Sequence, residues 1–264
     1  MTSDNEEMSR VANKKPKKGG KMKLWKKILL SLIGIGVLVL LAGIGLFAYY
    51  ASSAPNLTEK ELNGSFSTKL LDSKGNVFKE IGGENREIVD GDQIPQSLKD
   101  AVISIEDRRF YKHIGIDPIR IGGAVLANFK GGFASQGGST LTQQLVKLSV
   151  FSTKSSDQTL KRKAQEAWLS LKLERKYSKE QILDFYVNKV YLANNVYGVG
   201  KASQYYFGKP LNEISLSQAA LLAGMPQAPN SYNPYTNPDE ALARRNMVLD
   251  AMASNNKITT AERD

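Results

Sequence analysis

Two glutamates and a small set of cations hold most of the chemistry this sequence can offer. Glu106 opens Glu106-Asp107-Arg108-Arg109-Phe110-Tyr111, a carboxylate pair at the expected end of a helix, followed by a loop with Gly115 and Asp117. A carboxylate set between Ile105 and Phe110 suits a general base or acid. The same spacing also fits a helix-terminal glutamate paired with Arg109. Further on, Ser135-Gln136-Gly137-Gly138-Ser139-Thr140 is a glycine-rich loop running into TLTQQLVK, which ends at Lys147. Such a junction offers backbone N–H groups and the positive end of a helix dipole to an anion. An ordinary N-cap reads the same way, and the loop lacks the GxxxxGK pattern of a phosphate-binding P-loop. Around residue 162, helical spacing puts Arg162 and Lys163 four and three residues before Glu166. That face suits a phosphate held beside a second acid, or equally a solvated face laced with helix ion pairs.

The rest of the inventory excludes other chemistries. The chain has no cysteine, which removes disulfides, thiolate zinc sites and thiol nucleophiles. His113 is the sole histidine, so histidine metal sites are limited to a single ligand. A serine triad would need that histidine, yet no GxSxG nucleophile context accompanies it. Two carboxylates and several cations fit glycosyl transfer or glycoside cleavage better than acyl transfer.

These residues need a scaffold, and the sequence suggests one in four parts. Residues 1–27 hold nine basic side chains against three acidic ones, +6 of the chain's +10. This tail is expected to be disordered. A basic tail could bind nucleic acid, but an uncharged run at 28–50 follows it directly. That run is long enough to cross a hydrocarbon core of roughly 30 Å. It exceeds the ~7–15 residue core of a cleaved signal peptide. Trp25 flanks it on one side and Tyr49 and Tyr50 on the other, and Lys26 and Lys27 precede it. The expected topology is single-pass, with a cytoplasmic N-terminus and an extracytoplasmic catalytic domain in the cell membrane. Residues 51–92 form a connector with a β-hairpin around Asp72-Ser73-Lys74-Gly75-Asn76. Residues 93–264 read as mainly α-helical. Helices are expected from Pro95 towards Glu106, around Leu141–Leu148 and at 160–174, 179–192, 199–206, 215–224 and 239–254. In the third of these, Leu160, Ala164, Ala167, Trp168 and Leu171 form the expected apolar stripe.

Five stretches, in order, resemble the family-51 peptidoglycan glycosyltransferases: EDRRFYKHIGID (106–117), GGSTLTQQLVK (137–147), RKAQEAWLSLKLERKYSKEQIL (162–183), NKVYLANNVYGVGKASQYYFGK (188–209) and LSQAALLAGMPQAPNSYNP (216–234). The resemblance covers most of residues 95–250. It implies a mainly α, lysozyme-like fold with a membrane-facing subdomain. It also implies lipid II and the growing glycan chain as partners, with no nucleic acid, and division or elongation complexes as further partners. By the same likeness Glu106 is the general base and Glu166 the second acid. Arg109, Lys147, Arg162 and Lys163 match basic positions, the last three near the pyrophosphate. Ser139, Thr140, Gln143 and Gln144 match the motif lining the cleft. No tightly bound cofactor is implied, although a divalent cation, Mg or Mn, could act at Glu166.

Some features depart from the pattern. Gln158 stands where many members carry a basic residue eight positions before the second glutamate, and the loop at 151–159 is long, with Lys154 and Lys161 nearby. The hairpin resembles that of class A penicillin-binding proteins more than the monofunctional enzymes. The ordered SxxK, SxN and KTG set of a transpeptidase is not present, since no KTG occurs. The expectation is therefore the front part of a bifunctional protein.

Overall fold

The computed structural model describes residues 23–64, 68–75, 77–81, 85–131, 138–152, 157 and 159–264. The tail before residue 23, Ser135–Gly137, Lys154 and Gln158 lie outside them. Two compact units result, Met1–Ala48 and Tyr49–Asp264.

Helix α1, Leu24–Ser52, has a mean hydropathy of 2.7 over its most apolar stretch, with none of that stretch buried. A helix that is apolar all round and solvent-facing all round lacks a protein partner for its surface, and lipid supplies one. It is long and apolar enough to cross a membrane and extends past the 28–50 run at both ends.

The second unit is mainly helical. Its helices are α2 (Glu59–Asn63), α3 (Gln96–Glu106), α4 (Pro118–Gly131), α5 (Leu141–Val150), α6 (Leu160–Lys176), α7 (Lys179–Lys189), α8 (Val199–Phe207), α9 (Leu216–Gly224), α10 (Pro238–Ser254) and α11 (Thr260–Arg263). The expected hairpin is β1 (Thr68–Leu71) against β2 (Val77–Ile81), antiparallel. A two-residue parallel pair joins β3 (Asn85–Arg86) to β4 (Val196–Tyr197). The side-chain amide of Asn188 grips the chain just after β3, donating to the carbonyl of Val89 and accepting from its N–H, each at 2.9 Å.

One helical group is α3 with α9 and α10, another α5 with α6 and α7. A single apolar core runs through both, from Leu98, Val102 and Phe110 through Leu141, Leu145, Ile182 and Tyr186 to Leu222, Val248 and Met252. Several starts follow from local chemistry. Thr140, Ser178 and Ser215 each form a capping box with a glutamine three residues on. Pro238 follows Asn237 at the head of α10, where a missing N–H costs nothing.

The expected stripe of α6 is corrected. Its buried face is Arg162, Gln165, Glu166, Leu169, Ser170 and Leu173, whereas Leu160 is 81% exposed and Trp168 only half-buried. Burying the polar face is tolerable because Arg162 and Glu166 neutralise one another there. Helix α4 has no counterpart among the expected helices. The connector is tied down as well: Gln165 Nε2 donates to the Ser53 carbonyl at 2.8 Å, and Leu62 of α2 is buried.

Candidate active site

Glu106 is the last residue of α3, at the junction of the two helical groups. Its Oε2 accepts from Gln144 Nε2 of α5 at 2.9 Å, and Arg244 Nη2 of α10 lies 3.7 Å from Oε1. Gln144 is itself oriented, because the Tyr186 hydroxyl donates to its Oε1 at 3.2 Å. Burial, and after it the charge of Glu106, raise the Tyr186 hydroxyl well above the ordinary tyrosine pKa, so it stays a donor. The sequence reading names neither Tyr186 nor Arg244. Arg244 has no local signal, since it meets Glu106 only through the packing of α10 on α3.

Glu166 lies 1% exposed in the second turn of α6. Its two oxygens accept from Arg162 Nε at 2.9 Å and Lys163 Nζ at 2.7 Å. Arg162 is 5% exposed, and its Nη1 and Nη2 have no hydrogen-bond partner among the described residues. Buried guanidinium nitrogens without an acceptor are costly, and an anionic oxygen is the group that satisfies them. Lys147 stands on α5 between the two acids. Burial first, then the charges of Lys163 and Arg162, lower its pKa, against the opposing pull of Glu166 and Glu106. The structure thus gathers Glu106, Gln144, Lys147, Arg162, Lys163 and Glu166 along α3, α5 and the start of α6.

Arg109 Nε binds Asp117 Oδ2 at 2.6 Å, closing its own loop. Thr140 and Gln143 point inward, forming the capping box of α5, with the Thr140 hydroxyl donating to the Gly115 carbonyl at 2.6 Å. Ser139 is half-buried, one residue before that cap. Lys161 is exposed.

A cleft of about 570 Å³ borders Gln144 and Lys147, with Tyr186, Lys189, Tyr191 and Tyr197 in its wall. The rings of Tyr191 and Tyr197 stand 5.0 Å apart. Between them Ala193, Asn194 and Asn195 all adopt left-handed backbone conformations, a strained turn held by Tyr206, whose hydroxyl donates to the Leu192 carbonyl at 2.6 Å. A second cavity, about 670 Å³ between α9, α10 and α11, shares no residue with this cleft.

The donor set does not build a resident cation site. Both Glu166 oxygens are taken by cations, and among the described residues no three carboxylates or imidazoles converge.

The sequence matches the transglycosylase family over residues 74–253, which contain every group of this site. It is 48% identical over 241 residues to penicillin-binding protein 1A of Streptococcus oralis, covering 91% of this chain and 38% of that protein. It is 47% identical over 267 residues to penicillin-binding protein 1A/1B of Bacillus subtilis (strain 168), covering 98% and 29%. The chain thus spans roughly a third of the length of these relatives. A crystal structure of penicillin-binding protein 1A from Haemophilus influenzae overlaps 75% of this chain and 19% of its own at a TM-score of 0.43 and 25% identity. Both sequence alignments run through nearly the whole chain, and the family match takes in more than half of it with the cleft inside: the chain belongs to the transglycosylase family of peptidoglycan glycosyltransferases.

Proposed function

We propose that this chain polymerises lipid II into β-1,4-linked glycan strands, with Glu106 as general base. Glu106 takes the proton from the 4-hydroxyl of the acceptor N-acetylglucosamine as that oxygen bonds to the anomeric carbon of the growing chain's terminal sugar. The bond from that carbon to the pyrophosphate breaks on the opposite face, so the configuration inverts and undecaprenyl pyrophosphate leaves. Arg162, Lys163 and Lys147 receive the charge that develops on the leaving group. Fixed cations in a partly desolvated site lower such a barrier without reorganising.

One observation carries this reading: the two buried nitrogens of Arg162, without an acceptor among the described residues, beside Glu166 and on a helix separate from that of Glu106. A glycoside hydrolase working on mature wall has no anionic leaving group and no use for that cation cluster. Helix α1 supports a membrane-anchored enzyme whose catalytic unit lies outside the cell. Ile114 and Ile119 are 70% and 66% exposed on the loop and helix after Glu106, apolar surface suited to a lipid headgroup region.

The test is fluorescent lipid II given to the detergent-solubilised wild type. Glycan ladders are the expected outcome, and a folded protein yielding none overturns the reading. A milder variant probes the Gln144 relay. Tyr186→Phe strips Gln144 Oε1 of its donor, so turnover is expected to fall about 3–10-fold, with stability lower by about 1 kcal/mol. Unchanged turnover in the steady-state assay would show that Gln144 needs no such orientation.

A further inference from the structure

Behind the cleft, away from the reacting groups, lies a buried cluster that the chemistry above leaves unused. Glu174 sits on α6 two turns after Glu166, with its side chain 8% exposed. Its Oε1 accepts from the Thr142 hydroxyl at 2.6 Å and from Lys179 Nζ at 2.7 Å. Thr142 is fully buried on α5, two residues before Gln144. Lys179 Nζ in turn stands 4.5 Å above the Phe110 ring and 3.4 Å from His113 Nδ1.

His113 continues the connection. Its Nδ1 accepts from the Gly115 N–H at 3.1 Å, which leaves the ring proton on Nε2 to be donated to Asp107 Oδ2 at 2.8 Å. The same Asp107 oxygen accepts from the Leu141 N–H at 3.0 Å, at the head of α5. Gly115 has φ +103, and a side-chain carbon there would come within 2.7 Å of the Ser170 carbonyl oxygen, so this loop lies against α6 backbone. Three elements therefore meet in one buried network: the loop following Glu106, the helix carrying Gln144 and Lys147, and the helix carrying Arg162 and Glu166.

We propose that Glu174 is a positioning residue that, through Thr142 and Lys179, locks the head of α5 to the loop after Glu106 and so sets Gln144 against the base. The proposal rests on the reading of Glu106 as the base. Glu174 itself touches no group of the cleft, and a displacement of the order of 1 Å in such a frame can cost about 10²-fold in rate.

The test uses Glu174→Ala, Thr142→Val, their combination and Glu174→Gln in the full chain, with steady-state kinetics on lipid II and hydrogen–deuterium exchange over residues 140–146. Each of the first two variants is expected to lower kcat about 10–100-fold while KM for lipid II stays within about threefold. The combined variant should be within about threefold of the weaker single, because the two groups act through one contact. Glu174→Gln retains an oxygen for Thr142 and is expected to restore most of the lost kcat. Amides 141–144 should exchange faster in Glu174→Ala and Thr142→Val than in the wild type. Unchanged kcat in folded variants overturns the proposal, as does a loss of activity accounted for by a smaller folded fraction. A wild type that makes no glycan overturns the polymerase reading instead, and the exchange data then decide the lock alone: unaltered protection at 141–144 refutes it.

Discussion

Glu106→Gln is expected to reduce lipid II polymerisation by at least about 10³-fold in a protein that still folds. General bases contribute about 10²–10⁴-fold, and among the described residues no second carboxylate is placed on the Gln144 side to substitute. The amide is nearly isosteric and keeps an oxygen for the Gln144 Nε2 contact, now at 2.9 Å. What it removes is proton affinity, the one property the role requires. The loss of negative charge removes an attraction to Arg244 Nη2 at 3.7 Å, but that guanidinium keeps its Nε bond to the Gly224 carbonyl at 3.1 Å and its place over the Tyr232 ring. The melting temperature should therefore stay within about 2 °C of the wild type, and lipid II should still bind. Glycan ladders from the folded variant at a tenth of the wild-type rate or more would remove Glu106 from the role.

The fold was legible where backbone chemistry is local. The expected spans 179–192, 215–224 and 239–254 fall within a few residues of α7, α9 and α10, whose starts are capped locally by Ser178, Ser215 and Asn237-Pro238. The hairpin announced itself through its turn. Helix α4 escaped because Gly122 and Gly123 blunt its apolar periodicity. Its signal was present at the start: Asp117 Oδ1 accepts from the N–H groups of Ile119 and Arg120, with Pro118 in the first helical position.

The candidate site was legible as a set of residue types and less so as geometry. Spacing alone put Arg162, Lys163 and Glu166 on one face, yet hydropathy assigned the buried side of α6 to Leu160 and Trp168. A periodicity argument weighs each side chain separately and cannot register that an arginine and a glutamate are buried as a neutral pair. Arg109 pairs within its own loop and Thr140 caps its own helix, contacts that no linear pattern specifies. Arg244 and Tyr186 reach Glu106 and Gln144 purely through tertiary packing. That information belongs to the fold, and the transglycosylase motifs carry it only by association.

Arg162→Ala is the second large effect, and here stability and catalysis can be separated. The rate is expected to fall about 10²–10³-fold, the usual cost of removing a preorganised charge partner from a developing anion. Inhibition by added inorganic pyrophosphate should weaken in parallel. The same change strips Glu166, 1% exposed, of one of its two cations. Breaking a buried pair costs about 3–5 kcal/mol, and Lys163, still 2.7 Å away, should hold the loss near the lower end. Arg162→Lys keeps a charge but loses the planar fork, so it should retain the fold and recover about tenfold of the rate. The decisive variant combines Arg162→Ala with Glu166→Gln. With no uncompensated carboxylate left in the interior, thermal stability should return towards the wild type, while turnover stays at least about 10²-fold below that of Glu166→Gln alone because the pyrophosphate still lacks its guanidinium. If thermal melts and polymerisation kinetics recovered together, Arg162 would be serving Glu166 alone, and the leaving-group charge would have to be met by Lys147 and Lys163.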